Sequence, residues 1–523
     1  MRLPIGCEDF DRLRDTDSYY VDKTDLIYEM IKGGRYYFLS RPRRFGKSLL
    51  VSTLECLFEG KKELFKGLYI EDKWDWSKKY PVVRFTFTDR NRYTDSLDNA
   101  ISDQLLDYEE EHGLDPAGRS SLQGRFRRLV KHLHKKTDQQ VVVLVDEYDA
   151  PILDVLTDTD LVKKNRDDLK DFYRVFKNCS KHIRFVFVTG ITMFSKDSIF
   201  SGLNNLEDIS LDPEFSSICG YTDHDLDTVF AEETKKLDRE KIKRWYNGYN
   251  WLGEEKVYNP FCILLLFKKK DFRDWWFETG TPQYLYECLT QSPNVSVKSI
   301  ENCWVDHREL TKFNIGSVIP QALFFQSGYL TIDRKEKKED ATKYFLKIPN
   351  FEVYKGMYFG LLSYIMGGDN VAINIRNKGE EMLSCIAQHD FSEFKKKLFS
   401  FLADVPYRLN QNADLESHYH LILHSMFASF GIVYTSEEPS NLGASDIVLF
   451  YDNQVFVIEL KMLRSDQKVD TALKNAIQQI KDKRYADPHK DRKEPIHLVG
   501  MVFNKEKRNI DGIIHEELDN GTA

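Results

Sequence analysis

Short apolar runs alternate with amphipathic stretches through the first 210 positions. Tyr36-Tyr37-Phe38-Leu39, Pro81 to Phe87, Val141 to Val145 and Ile183 to Val188 are strand-length runs. Val141 to Val145 is uninterrupted β-branched and aliphatic, the pattern of a strand buried on both faces of a parallel sheet. Leu49 to Phe58 reads as a helix directly after the first run. From about 210 to 300 the pattern turns helical and aromatic, with Trp245-Tyr246-Asn247-Gly248-Tyr249, Tyr258-Asn259-Pro260-Phe261 and Trp275-Trp276-Phe277. Its Asn-Gly and Asn-Pro pairs mark turns between helices. Ile319 to Ser327 reads as a helix, followed by Tyr329 to Ile332, a charged tip from Asp333 to Lys343, and Tyr344 to Ile348. A helix followed by a hairpin is compatible with a winged helix. Residues 350 to 410 read as connecting helices, and Leu415 to Phe430 as a helix at 3.6 spacing. Asp446 to Tyr451 and Gln454 to Lys461 are strand-like runs around Asp452-Asn453, and Ala472 to Tyr485 is again helical.

The expected organisation is therefore an α/β nucleotide-type domain at 1–210 with helices on both faces of a parallel sheet. A helical lid at 211–300, a winged-helix-like and helical region at 301–409, and a C-terminal α/β domain at 410–523 follow. A chain of 523 residues is too long for one core, which agrees with several domains. With 41% hydrophobic and 30% charged residues it reads as a soluble globular protein. The net charge of −8 excludes whole-chain attraction to nucleic acid and leaves room for a local basic patch. No run approaches the length of a membrane span, and the N-terminus lacks an apolar signal core. Eight scattered cysteines without a C-x-x-C read as reduced thiols, so a cytoplasmic protein is expected.

Ser40-Arg41-Pro42-Arg43-Arg44-Phe45-Gly46-Lys47-Ser48 lies between the first strand and its helix, the context a P-loop requires. A helix start there offers free N–H groups and a positive dipole end to a phosphate. The ATP-binding set is Arg43, Arg44, Phe45, Gly46, Lys47, Ser48 and Leu49. Lys47 reaches the β/γ-phosphates and Ser48 ligates Mg²⁺. In G-x-x-x-x-G-K-[ST] a glycine would stand at Arg41, so this loop turns without it. Asp146-Glu147 ends the buried strand, where ligands bind in open α/β sheets. Asp146 is the metal-side residue and Glu147 the one that polarises the attacking water. Pro81 to Phe87, between P-loop strand and acidic strand in sequence, suggests the ATPase division with an added strand separating the two. Thr189, ending the neighbouring strand, is a candidate γ-phosphate sensor, or simply a strand-ending threonine.

A two-residue turn at Asp452-Asn453 makes 451 face 454, and counting outward 446 faces 459. Asp446 and Glu459 then share one face about 5 Å apart, and Lys461, two residues on, points the same way. Two opposed carboxylates repel unless a divalent cation, Mg²⁺ or Mn²⁺, sits between them. Glu416, on the preceding helix, is a candidate third metal ligand. The alternative is an edge hairpin whose acids and lysine form a surface ion pair. Lys481, Lys483, Arg484 and Lys490 form a basic segment suited to a nucleic-acid backbone. The basic helix carrying Arg125, Arg127, Arg128, Lys131, Lys135 and Lys136 reads as a solvated face.

Acid, then Glu-x-Lys, on a hairpin after a helix is the arrangement of the PD-(D/E)XK nucleases. The whole chain resembles bacterial AAA-ATPase-like proteins with a C-terminal PD-(D/E)XK nuclease-like, restriction-endonuclease-like domain. Carrying the resemblance are Pro4-Ile5-Gly6, Asp9-Phe10, Tyr20 to Thr24, Arg41 to Ser48, Asp146-Glu147-Tyr148-Asp149, Gly202 to Asn205, Tyr246 to Tyr249 and Tyr258-Asn259-Pro260. In the C-terminal part Glu416, Asp446, Glu459-Leu460-Lys461 and Gln479-Ile480 match. Gly443-Ala444-Ser445 stands where the family often has an arginine before the strand aspartate. The resemblance implies ATP hydrolysis, with Mg²⁺-dependent cleavage of DNA or RNA gated by nucleotide state in a homo-oligomer, in conflict with mobile elements. Two other functions stay open at this point. One is an ATP-switched regulatory or nucleic-acid-binding module with a silent nuclease-like domain. The other is a bare ATPase whose C-terminal domain only assembles subunits.

Overall fold

The structure is a computed structural model. It describes residues 1–87, 96–115, 121–156, 158–193, 199–200, 202–203, 205–279, 286, 303–311, 320–338, 341–367, 369–404, 415–430, 432–440, 443–464 and 467–518, with backbone alone for 278–279, 369–377, 415–418, 433–440 and 443–444. Two compact units emerge. One is Met1–Trp276 with Trp304–Phe351, the other Phe277–Cys303 with Glu352–Ala523.

The first unit is built on a sheet of β1 (Tyr36–Ser40), β2 (Val82–Thr86), β3 (Val141–Asp146), β4 (Ile183–Gly190) and the short β5 (Glu207–Asp208). All its pairings are parallel, in the order β2-β3-β4-β1-β5. Every residue of β1 and β3 is buried, as continuous apolar strands of a doubly covered sheet require. A strand does separate the P-loop strand from the acidic strand, but it is β4. The Pro81–Phe87 run forms β2, outside β3, because its crossover leads past the acidic strand to the sheet edge. The carboxyl ends of β1, β4 and β3 thereby lie side by side, where open α/β sheets bind ligands.

Helix Thr159–Asn178 shows how the covering layers form. Asp158 accepts from the N–H groups of Asp160 and Leu161, and Val162, Leu169, Phe172, Tyr173 and Phe176 recur on one buried stripe. Helix Leu122–Thr137 corrects the expectation of a merely solvated basic face. Its Arg125 and Arg128 clamp the fully buried Glu109 of the neighbouring helix at 2.7 and 3.0 Å, and hold its carboxyl below the usual range against the cost of burial.

Residues 211–276 of the expected lid and the hairpin region belong to this same unit, whereas 277–303 fall in the second. Phe45 packs on Tyr249 and Trp251, the Asn250 N–H donates to the Thr331 hydroxyl at 2.7 Å, and Gln326 accepts from the Met193 N–H at 2.9 Å. Helix Pro320–Ser327 is followed by β7 (Thr331–Lys338) and β8 (Ala341–Lys347), with β6 (Cys303–Asp306) completing a three-stranded sheet, β6-β8-β7.

The second unit carries helices Asp369–Ala387, Phe391–Ala403 and Leu415–Ser429 before a mixed sheet. That sheet holds β9 (Val433–Ser440), β10 (Gly443–Tyr451), β11 (Gln454–Met462), β12 (Ile496–Asn504) and β13 (Asn509–Leu518), in the order β13-β12-β11-β10-β9. Only β11 and β12 run parallel, since helix Val469–Asp482 makes the crossover between them. That helix lays Ile477 and Ile480 on Val455, Val457, Ile496 and Leu498. No described helix is long and apolar enough to cross a membrane.

Three imidazoles meet in this unit. His497 Nδ1 lies 3.0 Å from His515 Nε2, and the His389 ring lies 4.4 Å from that of His497. Burial, then the neighbouring His389 and His515, push the His497 pKa down from 6.5 to about 4. The unfolded chain thus binds the proton that the folded unit refuses. Stability is full above the unfolded value of 6.5 and falls as pH drops toward about 4. Denaturant midpoints across that window should decline, and the decline should be shallower in His497→Phe.

Candidate active sites

Gly46 caps the P-loop helix Lys47–Phe58 with φ of 91°, and Arg44 also sits in the left-handed region at 68°. A Cβ at Gly46 would meet nothing, so glycine is required there by backbone conformation alone. Lys47 is buried and its Nζ donates to the Pro42 carbonyl at 3.0 Å. Burial pulls its pKa down, opposed by the charges of Glu147, Asp146 and Asp149. Ser48 and Leu49 are half-buried in the first turn, while Arg43 and Arg44 are exposed. Phe45 is buried edge-on against Tyr249 at 4.8 Å and Trp251 at 5.2 Å. Asn259 caps helix Pro260–Lys269 through Oδ1, and its Nδ2 donates to the Arg43 carbonyl at 3.4 Å. The two aromatic motifs thus brace the loop from outside.

Asp146 ends β3 at 3% exposure, and its Oδ1 is buried with no hydrogen-bond partner among the described residues. The nearest ion-pair partner is Arg84, 3.6 Å from Oδ2. A buried carboxylate oxygen left open at a strand's carboxyl end suits a hard divalent cation such as Mg²⁺. Glu147 follows with φ of 50°, a left-handed conformation that a non-glycine residue rarely adopts. Burial raises its pKa, and the Lys47 ammonium opposes that rise.

Asp149 organises the turn, a role that the sequence reading did not assign. Its Oδ2 accepts from Ile191 N at 3.0 Å and from Thr192 N and Oγ1, both at 2.6 Å. The Tyr148 hydroxyl donates to the Thr192 carbonyl at 2.9 Å. A Cβ on Gly190 would sit 2.5 Å from both Asp149 Oδ1 and the Tyr148 ring, so only glycine lets β4 approach. Thr189 ends β4, and its fully buried hydroxyl donates to the Leu39 carbonyl at 2.8 Å, joining β4 to β1. Of the expected Gly202 to Asn205 motif, position 204 lies outside the described residues.

Beside the P-loop helix lies a partly open cavity of about 70 Å³, lined among others by Tyr20, Val21, Phe45, Leu49, Ile218 and Tyr221. Lys23, also in its wall, pairs with Asp225 at 2.7 Å and so ties the N-terminal segment to helix Asp223–Thr228. Four distant segments build this cavity, which is why no local motif announces it.

In the second unit Asp452 and Asn453 both take left-handed φ, 50° and 56°, the geometry of a type I′ turn. Tyr451 faces Gln454 and Ile447 faces Ile458, the last pair of the ladder, and Asp446 and Glu459 are the residues immediately beyond it. Asp446 Oδ2 accepts from the Leu460 N–H at 2.7 Å. Glu459 is 2% exposed, and its Oε1 receives both Lys461 Nζ, at 2.7 Å, and Gln479 Nε2. That burial excludes the surface ion pair. The Lys461 side chain keeps 27% exposure, so the site opens to solvent on the lysine side. Two further residues join it. His420 Nε2 lies 2.9 Å from the Asp446 carbonyl oxygen, and Tyr485 Oη lies 3.5 Å from Gln479 Nε2. Glu416 lies one helical turn before His420 on helix Leu415–Ser429, with its side chain outside the described residues. Among the described residues no three His, Cys, Asp or Glu converge as a metal shell. Asp446 and Glu459 are the described donors, and two hard carboxylates beside a lysine suit Mg²⁺ or Mn²⁺. Of the basic segment, Lys481 pairs with Glu516 and Lys490 with Asp487, so part of its charge is internally neutralised.

Residues 4–200 match the family model described as a predicted AAA-ATPase, and residues 414–512 that of the PD-(D/E)XK nuclease superfamily. A protein of Azotobacter chroococcum mcd 1, described as an uncharacterized protein in the vnfD 5′ region, is 40% identical over 522 residues, 99% of either chain.

Proposed function

We propose, from the premise that this chain belongs to the AAA-ATPase-like proteins bearing a C-terminal PD-(D/E)XK nuclease superfamily domain, that it is an ATPase whose nucleotide state governs a metal-dependent nuclease. The observation that carries this reading is a repeated one. In each unit two carboxylates lie near one lysine: Asp146 at the end of β3 and the following Glu147 with Lys47, and Asp446 of β10 and Glu459 of β11 with Lys461. A relative matched over 99% of its length supports treating both parts as one working chain.

In the first unit Lys47 and the free N–H groups of its helix hold the phosphates, with Ser48 and Asp146 placed for Mg²⁺. The open cavity beside Gly46 accepts the nucleobase. Glu147 accepts a proton from the water that attacks the γ-phosphate. In the second unit Asp446 and Glu459 would hold the metal, which when bound would supply charge stabilisation at the scissile phosphate and lower the pKa of a bound water. Lys461 stabilises charge that develops only in the transition state, and Gln479 and Tyr485 fix the orientation of Glu459. The nucleic acid is DNA or RNA.

Lys47→Ala should remove a charge-assisted phosphate contact worth roughly 1.5–3 kcal/mol, or about 10- to 150-fold in ATP affinity. Calorimetry on the folded variant checks this, and unchanged affinity would remove the P-loop reading.

A further inference from the structure

The residue standing in place of the first P-loop glycine is fully buried. Arg41 has 0% exposure, no ion-pair partner within bonding distance among the described residues, and a guanidinium enclosed by carbonyls. Nη1 donates to Ser40 O at 2.8 Å and Ser210 O at 2.9 Å, and Nη2 to Phe215 O at 3.2 Å and Ser216 O at 3.3 Å. Its plane lies over the Trp251 ring at 4.2 Å, and Trp251 in turn meets Phe45 of the loop. Ser210 adds a second tie, its Oγ accepting from the Ser40 N–H at 2.8 Å. Three of the four carbonyls that Arg41 grips, those of Ser210, Phe215 and Ser216, belong to the segment that runs directly into Ile218, Cys219, Gly220 and Tyr221, which wall the cavity beside Gly46 and Leu49.

From this arrangement we infer that Arg41 is a positioning residue for the nucleoside half of the site. It fixes the 210–221 segment at the start of the phosphate loop, so that base pocket and phosphate cradle keep one register. A planar head with donors on two nitrogens can span two pairs of carbonyls, which neither a glycine nor the single ammonium of lysine can do. Restoring the common P-loop glycine should therefore impair this protein. The inference rests on nucleotide binding at Lys47.

The test is binding of ATP and of inorganic tripolyphosphate to the full-length chain by calorimetry, in wild type, Arg41→Gly, Arg41→Lys and Lys47→Ala. Tripolyphosphate reports the phosphate cradle without the base pocket. Arg41→Gly should lose about tenfold or more in ATP affinity while tripolyphosphate affinity moves by less than about threefold. Arg41→Lys should lie between Arg41→Gly and wild type, and it carries the test if the glycine variant does not fold. Lys47→Ala should weaken both ligands together. An ATP-to-tripolyphosphate ratio as high in folded Arg41 variants as in wild type overturns the inference alone, as does equal loss of both ligands. Wild type that binds neither ligand, or Lys47→Ala that binds both as wild type does, overturns the nucleotide reading and this inference with it.

Discussion

Glu147→Gln is expected to bind ATP as wild type does and to turn it over more slowly by about 10²-fold or more. The reason lies in the division of labour at the end of β3. Asp146 presents its open oxygen to a cation, whereas Glu147 is held half-buried in a left-handed conformation that its surroundings must enforce. Strain of that kind persists where Asp149 anchors the following turn to Ile191 and Thr192. Glutamine keeps the shape and removes the proton acceptor. The pH profile gives a second sign. Burial raises the Glu147 pKa, and the protonated form accepts nothing from water. The acid limb of turnover should thus lie above the usual carboxylate range in wild type, with activity lost as pH falls through it. Steady-state turnover across pH, with ATP affinity measured separately, checks both points. Equal loss of binding and turnover in Glu147→Gln would make the residue structural.

The second large effect is expected at the hairpin. Asp446→Asn, Glu459→Gln and Lys461→Ala should each abolish most phosphodiester cleavage, and combining them should cost little more, as for groups that act as one unit. The geometry requires this coupling. Lys461 and Gln479 both grip Glu459 Oε1, and Asp446 is fixed by the Leu460 N–H between Glu459 and Lys461. Removing one member frees the others to move. Nucleic-acid binding should persist in all three, since the exposed basic residues lie outside the triad. Strictly additive losses would mean that the three residues do not share a site.

What could be read from the sequence was local. The P-loop is a strand, a turn and a helix in succession, and the hairpin register follows from two turn residues, so Lys47 and Ser48 open the helix and Tyr451 meets Gln454 where period and turn length put them. What could not be read depends on distant pairing. Arg41 meets carbonyls 169 to 175 positions downstream, and nothing near it in sequence distinguishes a buried arginine from an exposed one. Which strand separates the P-loop strand from the acidic strand could not be read for the same reason, because the insertion of β4 between β1 and β3 is a property of crossovers. Thr189 occupies the predicted place at the end of β4, but its rotamer and the Leu39 carbonyl decide what it touches.

The most direct measurement of the central claim is a cleavage assay on purified full-length protein. A panel of DNA and RNA substrates is incubated with Mg²⁺ or Mn²⁺, in the presence of ATP, of its non-hydrolysable analogue, or of neither. Wild type should cut at least one substrate only when metal is present, at a rate that changes with nucleotide state, and Lys461→Ala should not cut it. A wild type that cuts nothing with either metal would contradict the nuclease half of the account and leave an ATP-switched binding module. Cleavage by Lys461→Ala at the wild-type rate would place the activity elsewhere.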